Sequence, residues 1–106
     1  LSPILLAWAV SVVIRLATGS ATVATVTAAG ILEPVAAALP PTHAAMLVLA
    51  IGAGSVFFSH VNDAGFWLIK EYFGISVGEN IKTWSLMETV LSVVALCLVL
   101  LLSLII

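Results

Sequence analysis

Charge is what this sequence most lacks. Only 8% of its 106 residues are Asp, Glu, Lys or Arg, while 63% are hydrophobic. A soluble domain carries about a quarter charged residues, so this chain has too few polar groups to clothe its own surface in water. Its mean hydropathy of +1.34 points the same way, and the expected surroundings are a lipid bilayer. Cysteine is nearly absent. Cys97 stands alone in Val94-Ala95-Leu96-Cys97-Leu98, which excludes a disulfide or thiolate–metal framework. The formal net charge of −2 is too small to argue for nucleic acid or an anionic lipid surface. No basic leader precedes a short apolar stretch, so no signal peptide is expected. The opening Leu1-Ser2-Pro3 runs straight into apolar sequence and reads as the C-terminal piece of something larger.

What polarity there is concentrates in Ser59-His60-Val61-Asn62-Asp63-Ala64-Gly65-Phe66-Trp67, between apolar Met46–Gly54 and Phe66–Ile69. Unsatisfied polar groups are costly in hydrocarbon, and non-helical backbone survives at that depth only where protein buries it or a wet cavity bathes it. The stretch is therefore expected to be the break in a discontinuous helix. A water-facing loop between two helices is the alternative.

Segment lengths favour the break. Residues 43–73 stay largely apolar for about 31 positions, roughly 46 Å as continuous helix, too long for one ordinary span and too short for two. Ahead of them, Pro3 suits a first helical position and Ile4–Leu16 would reach only about 20 Å. A second run, Val23–Leu39, ends at Pro40-Pro41. Two short helices joined by Thr18-Gly19-Ser20-Ala21-Thr22 suggest a re-entrant hairpin over residues 1–39, with two tilted complete spans as the alternative. Thr42 is placed to cap the next helix. Gly74–Thr83 reads as an interfacial loop flanked by Tyr72 and Trp84. Residues 86–106, about 31 Å long as a helix, match a plain transmembrane span. The expected fold class is thus all-α integral membrane and multi-pass. Lys70 and Lys82 flank the 74–83 loop and favour its placement on the cytoplasmic side, so that the hairpin dips in from the outer face.

Arg15 lies in an apolar run one turn before the hairpin tip. A buried arginine asks for something negative, and the helix N-terminus after the tip favours an anion as well. Arg15, Thr18, Gly19, Ser20 and Thr22 are the expected substrate-binding set on the hairpin, with Ser59, His60 and Asn62 on the break. The alternative for Arg15 is a structural role: snorkelling, or pairing with Glu33 or Asp63. Asp63 and His60 are the groups that can carry a proton, although Asp63 also fits as the cap of a helix starting at Ala64. No site role is expected for Glu33, His43, Glu71, Glu79 or Lys82, and Glu88 suits the first-turn dipole of the last helix. No His-Glu-x-x-His or cysteine pair completes a zinc site, so neither metal nor other cofactor is expected. Ser59, His60 and Asp63 crowd one loop and no Gly-x-Ser-x-Gly elbow presents the serine, which disfavours an intramembrane hydrolase.

Thr18-Gly19-Ser20-Ala21-Thr22-Val23-Ala24, the Ser59–Trp67 stretch, Lys70-Glu71-Tyr72-Phe73 and Lys82-Thr83-Trp84-Ser85-Leu86-Met87-Glu88-Thr89 together resemble the gluconate permease family of bacterial inner-membrane symporters. The resemblance covers essentially the whole chain. It implies proton-coupled uptake of gluconate or a related sugar acid. It also implies an inverted-repeat transporter with one re-entrant hairpin and one broken helix per half, of which this chain is the C-terminal part. The expected partners are then the sugar acid, protons, the bilayer, the missing N-terminal half and a second copy in a homo-oligomer. Tip and break would meet near the bilayer midplane. A competing class, a membrane subunit that only scaffolds a partner, predicts that tip and break pair with each other.

Overall fold

The computed structural model describes residues 2–105, and every described element is helical. Helix α1 (Pro3–Thr18) begins with proline at its first position and stops at Gly19, whose φ of +68 is a left-handed value that glycine takes without a Cβ penalty. Helix α2 (Ala21–Ala37) starts one residue later, with Ser20 Oγ accepting from the Val23 amide as its cap. The hairpin tip is therefore just Gly19-Ser20. Thr18 closes α1, and Ala21 and Thr22 already belong to α2, so three of the five residues expected to be irregular are helical.

Helix α3 (Pro41–Ser55) also begins on a proline, which fits a position whose N–H would have no intrahelical partner. Pro40 holds the cap position, and Thr42 lies inside the helix rather than capping it. The chain then leaves helical geometry over residues 56–63 and resumes it in α4 (Ala64–Phe73). This interruption opens three residues earlier than the polar sequence predicts, and Gly65 is helical rather than part of it. The early end has a local cause. Ser55 Oγ turns back onto the Gly52 carbonyl, and Phe58 takes φ +44, a left-handed value that costs a bulky residue about 1–2 kcal/mol.

The largest departure from expectation follows α4. The polar run 74–83 is a loop only as far as Ser76. Ser76 and Glu79 form a reciprocal capping box, each side chain bonding the other's backbone N–H, and helix α5 (Val77–Asn80) starts there. It passes through a π-helical turn (Ile81–Ser85) into α6 (Leu86–Ile105). The three form one 29-residue helix, Val77–Ile105, about 43 Å long. The last helix thus begins nine residues before position 86, and Glu88 is not in its first turn. Among the described residues it is the only helix long and apolar enough to cross a membrane; α1, α2 and α3 are shorter apolar helices.

Packing runs through α3, which touches α1, α2 and α6. The core joins Ile4 and Ala7 of α1, Ala28 and Leu32 of α2, Met46, Leu47, Ala50 and Ile51 of α3, and Leu96 and Val99 of α6. Alanines at these contacts let backbones approach closely, as at helix interfaces in lipid. Hydroxyls join the helices further: Ser11 donates to the Ile51 carbonyl, Ser92 to the Ala53 carbonyl, and Trp8 Nε1 to Ser92 Oγ. The outward face is apolar, with Leu86, Val90, Leu91, Val94, Leu98 and Leu101 all exposed. Lipid would cover such a face and water would not.

The starts of α1 and α3 and the ends of α2 and α6 line a cavity of about 150 Å³ through Ser2, Pro3, Ile4, Leu39, His43 and Ser103. The ends of α1 and α3 and the start of α6 meet at the other end of this bundle. Both arms of the hairpin therefore open towards the C-terminal end of α6. Ser85, which bonds the interruption, lies about 27 Å from Ser103 and about 12 Å from Val77 along the long helix.

Candidate functional site

Tip and interruption are in direct contact. Arg15, 5% exposed on the last turn of α1, donates from Nη2 to Asp63 Oδ2 at 2.5 Å. Asp63 is the cap of α4, its Oδ1 accepting from the Gly65 amide at 2.9 Å. Ser59 Oγ donates to the same Oδ2 at 2.5 Å. Of its three donors, Ser59 comes from its own loop, Gly65 from the first turn of α4, and Arg15 crosses from the hairpin. The pair with Asp63, named among the alternatives for Arg15, is present. One donor is nevertheless left over: Arg15 Nε is buried and has no acceptor.

Asn62 makes the second link, donating from Nδ2 to the Leu16 carbonyl at 2.8 Å. Its backbone carbonyl lies against Gly19 so closely that a Cβ there would overlap it. Gly19 is thus required twice, by its positive φ and by this approach. The third link comes from the end of the π turn, where Ser85 Oγ donates to the Ser59 carbonyl. Asn80, fully buried, donates to the Phe66 carbonyl at 2.8 Å and holds α4 against the long helix. Asn80 and Ser85 are five residues apart, which regular α-helix would set about 140° around the axis. The π turn between them changes that register.

The remaining expected residues divide. Thr18 is exposed, donates to the Ile14 carbonyl and accepts from the Ser20 amide; Thr22 is exposed on the first turn of α2. His60 is half-buried, its ring tilted against Phe58 with centroids 5.4 Å apart. Ser59 differs from expectation: at 1% exposure, with its hydroxyl committed to Asp63, it is a support for the carboxylate and not a surface contact. Sequence reasoning passed over Ser85 and Glu88. The available signal was the polar stripe Ser85, Glu88, Ser92 at i, i+3, i+7 on an otherwise apolar helix. A larger cavity of about 460 Å³, lined by Ile69, Phe73, Ile75, Thr83, Trp84 and Met87, lies between α4 and the long helix; neither cavity includes a residue of tip or break. No cluster among the described residues could hold a metal ion.

The N-terminus of α4, through its cap Asp63, meets a buried arginine in a helical bundle with an apolar exterior. Such an arrangement fits a helical membrane protein. Residues 1–105 match the model of the GntP family permeases. The chain belongs to this family, and it is therefore a membrane protein of a permease family and not an enzyme. It is similar to a gluconate permease of Pseudomonas aeruginosa, 64% identical over 99% of this chain and 23% of that protein. It is also similar to a high-affinity gluconate transporter of Escherichia coli, 52% identical over 100% of this chain and 24% of the relative. A third relative is the Gnt-II system L-idonate transporter of the same organism, 53% identical over 91% of this chain and 22% of its own length. The chain thus spans about a quarter of the length of these relatives. No solved structure matches it.

Proposed function

We propose that this chain is the C-terminal part of an inner-membrane permease that takes up gluconate or a closely related sugar acid together with a proton. The observation that carries the reading is Arg15, a 95%-buried cation whose Nε has no acceptor. A substrate carboxylate supplies that acceptor, in the planar geometry a guanidinium fits. The Ala21 and Thr22 amides at the start of α2 have no intrahelical partners and add donors at the tip. Exposed Thr18, Thr22 and Asn62 are available to sugar hydroxyls, while Gly19 and Ser20 shape the tip. Asp63 and His60 are the break residues to which the sequence assigns the proton. In this reading the hairpin is re-entrant, and the substrate lies between this chain and the part of the permease that completes the path. The names of the relatives, gluconate and idonate transporters, agree with the substrate class.

The second reading, a scaffold without transport, draws on the pairing of Arg15 with Asp63 and of Asn62 with Leu16. Uptake of labelled gluconate into vesicles containing the intact permease separates the two. Arg15→Lys keeps the charge and loses the two-pronged donor, so uptake should fall by tenfold or more, about 1.4 kcal/mol of transition-state binding. Arg15→Gln should fall further. Unchanged uptake in the Gln variant at equal expression would leave Arg15 as a structural charge.

A further inference from the structure

The carboxylate at the break is fully engaged. Asp63 accepts from Arg15, Ser59 and the Gly65 amide. Adding a proton to it would strip the buried Arg15 of its counter-ion and set Ser59 and the cap against an O–H. A group that must gain and lose a proton in every cycle is better placed where neither form has a partner to abandon.

Glu88 stands in such a place. Ser85 and Ser92, three residues before it and four after, both donate into the chain around the break, to the carbonyls of Ser59 and Ala53. Residues at this spacing share a helix face, so Glu88 is held towards the same region, one turn beyond the π turn that sets the register. It is half-buried, and it lies within the electrostatic reach of both Arg15 and Asp63. Among the described residues it has no ion-pair or hydrogen-bond partner. The other titratable groups around it are few. From α1 there is Arg15, and from the break Asp63 and His60. The sole titratable group of α3, His43, lies at the opposite end of that helix; Glu79 is exposed before the π turn and Lys82 is exposed within it.

Charge counting then gives the coupling. Arg15, Asp63 and Glu88 sum to −1, and a sugar-acid carboxylate joining Arg15 makes the cluster −2, in surroundings that screen charge poorly. One proton returns it to −1. We propose that Glu88 is the seat of the coupled proton, protonated from water as the substrate carboxylate reaches Arg15 and deprotonated as the substrate leaves. The inference rests on the transport reading above and relocates its proton from Asp63 and His60 to a residue on α6.

The test uses the intact permease in proteoliposomes, with gluconate as the probe. In the wild type, gluconate addition should bring protons inward, and apparent affinity should weaken with rising pH by up to about tenfold per unit, as one linked proton requires. In Glu88→Gln, gluconate-driven proton movement and accumulation against a gradient should vanish and the affinity should become flat with pH, while exchange with preloaded gluconate persists. Proton movement at the wild-type ratio in Glu88→Gln would overturn the proposal. If exchange is also lost in that variant, Glu88→Asp decides: a restored, pH-dependent accumulation supports the proposal, and none refutes it. A wild-type protein that exchanges no gluconate would instead refute the transport reading beneath it.

Discussion

Two glycines of this chain share a backbone conformation and differ in their surroundings, which makes them a matched pair. Gly19 at the hairpin tip has φ +68, and Gly74 at the end of α4 has φ +63. A Cβ built on Gly74 meets nothing within 4 Å, whereas one on Gly19 runs into the backbone and carboxamide of Asn62. Gly74→Ala should therefore cost only the left-handed strain, about 1–2 kcal/mol. Gly19→Ala carries the same strain and must also push the 62–63 backbone away. That loses the Asn62–Leu16 hydrogen bond, about 1 kcal/mol net, and adds an overpacking cost of about 1–3 kcal/mol. The total for Gly19→Ala is then about 3–6 kcal/mol, against about 1–2 for Gly74→Ala. Thermal unfolding of the purified permease in detergent should rank the midpoints wild type, Gly74→Ala, Gly19→Ala. Gluconate uptake should survive the first substitution and fail in the second. Equal midpoints for the two variants would refute the contact between tip and break.

Three further outcomes are expected. Asp63→Asn keeps a capping side chain but leaves Arg15 buried without a counter-ion, at about 3–5 kcal/mol. Adding Arg15→Gln should recover much of that loss, a coupling that a double-mutant cycle on unfolding midpoints would measure. Ser85→Ala leaves the Ser59 carbonyl without its donor and should cost about 1–3 kcal/mol, read in the same assay, with Ser103→Ala, far from the break, as the milder comparison. At the start of α5, Glu79 Oε1 accepts from the Ser76 backbone N–H as half of the capping box. Glu79→Ala removes that half, so amide protection at Val77–Asn80 should weaken by hydrogen exchange while protection in the core of α6 is kept.

Much of this arrangement was legible from residue types. Gly19-Ser20 announced a turn because glycine and a capping hydroxyl stand side by side. The knot at residues 59–63 announced an interruption because lipid penalises bare polar groups. Its early onset was not legible, because Val56-Phe57-Phe58 is as apolar as the helix before it and no residue type there announces the left-handed Phe58. The loop expected over 74–83 failed for a different reason. Polarity was taken for irregularity, although Ser76-x-x-Glu79 is a helix-start signal that outweighs it. Glu88 was passed over as a dipole partner because its helix was taken to begin at residue 86. With nine more residues of helix ahead of it, that explanation lapses. The pairing of Arg15 with Asp63 lay among the alternatives, but nothing in a sequence separation of 48 positions selects Asp63 over Glu33.

The links between hairpin and interruption also bear on motion. Parting them means giving up one buried ion pair and the Asn62 bond, together about 4–6 kcal/mol. At about 1.4 kcal/mol per factor of ten, the parted arrangement is occupied by roughly one molecule in a thousand to one in ten thousand. At equilibrium these two irregular segments are therefore held together as one body. Flexibility suggested by a glycine turn and an eight-residue loop is cancelled where they touch.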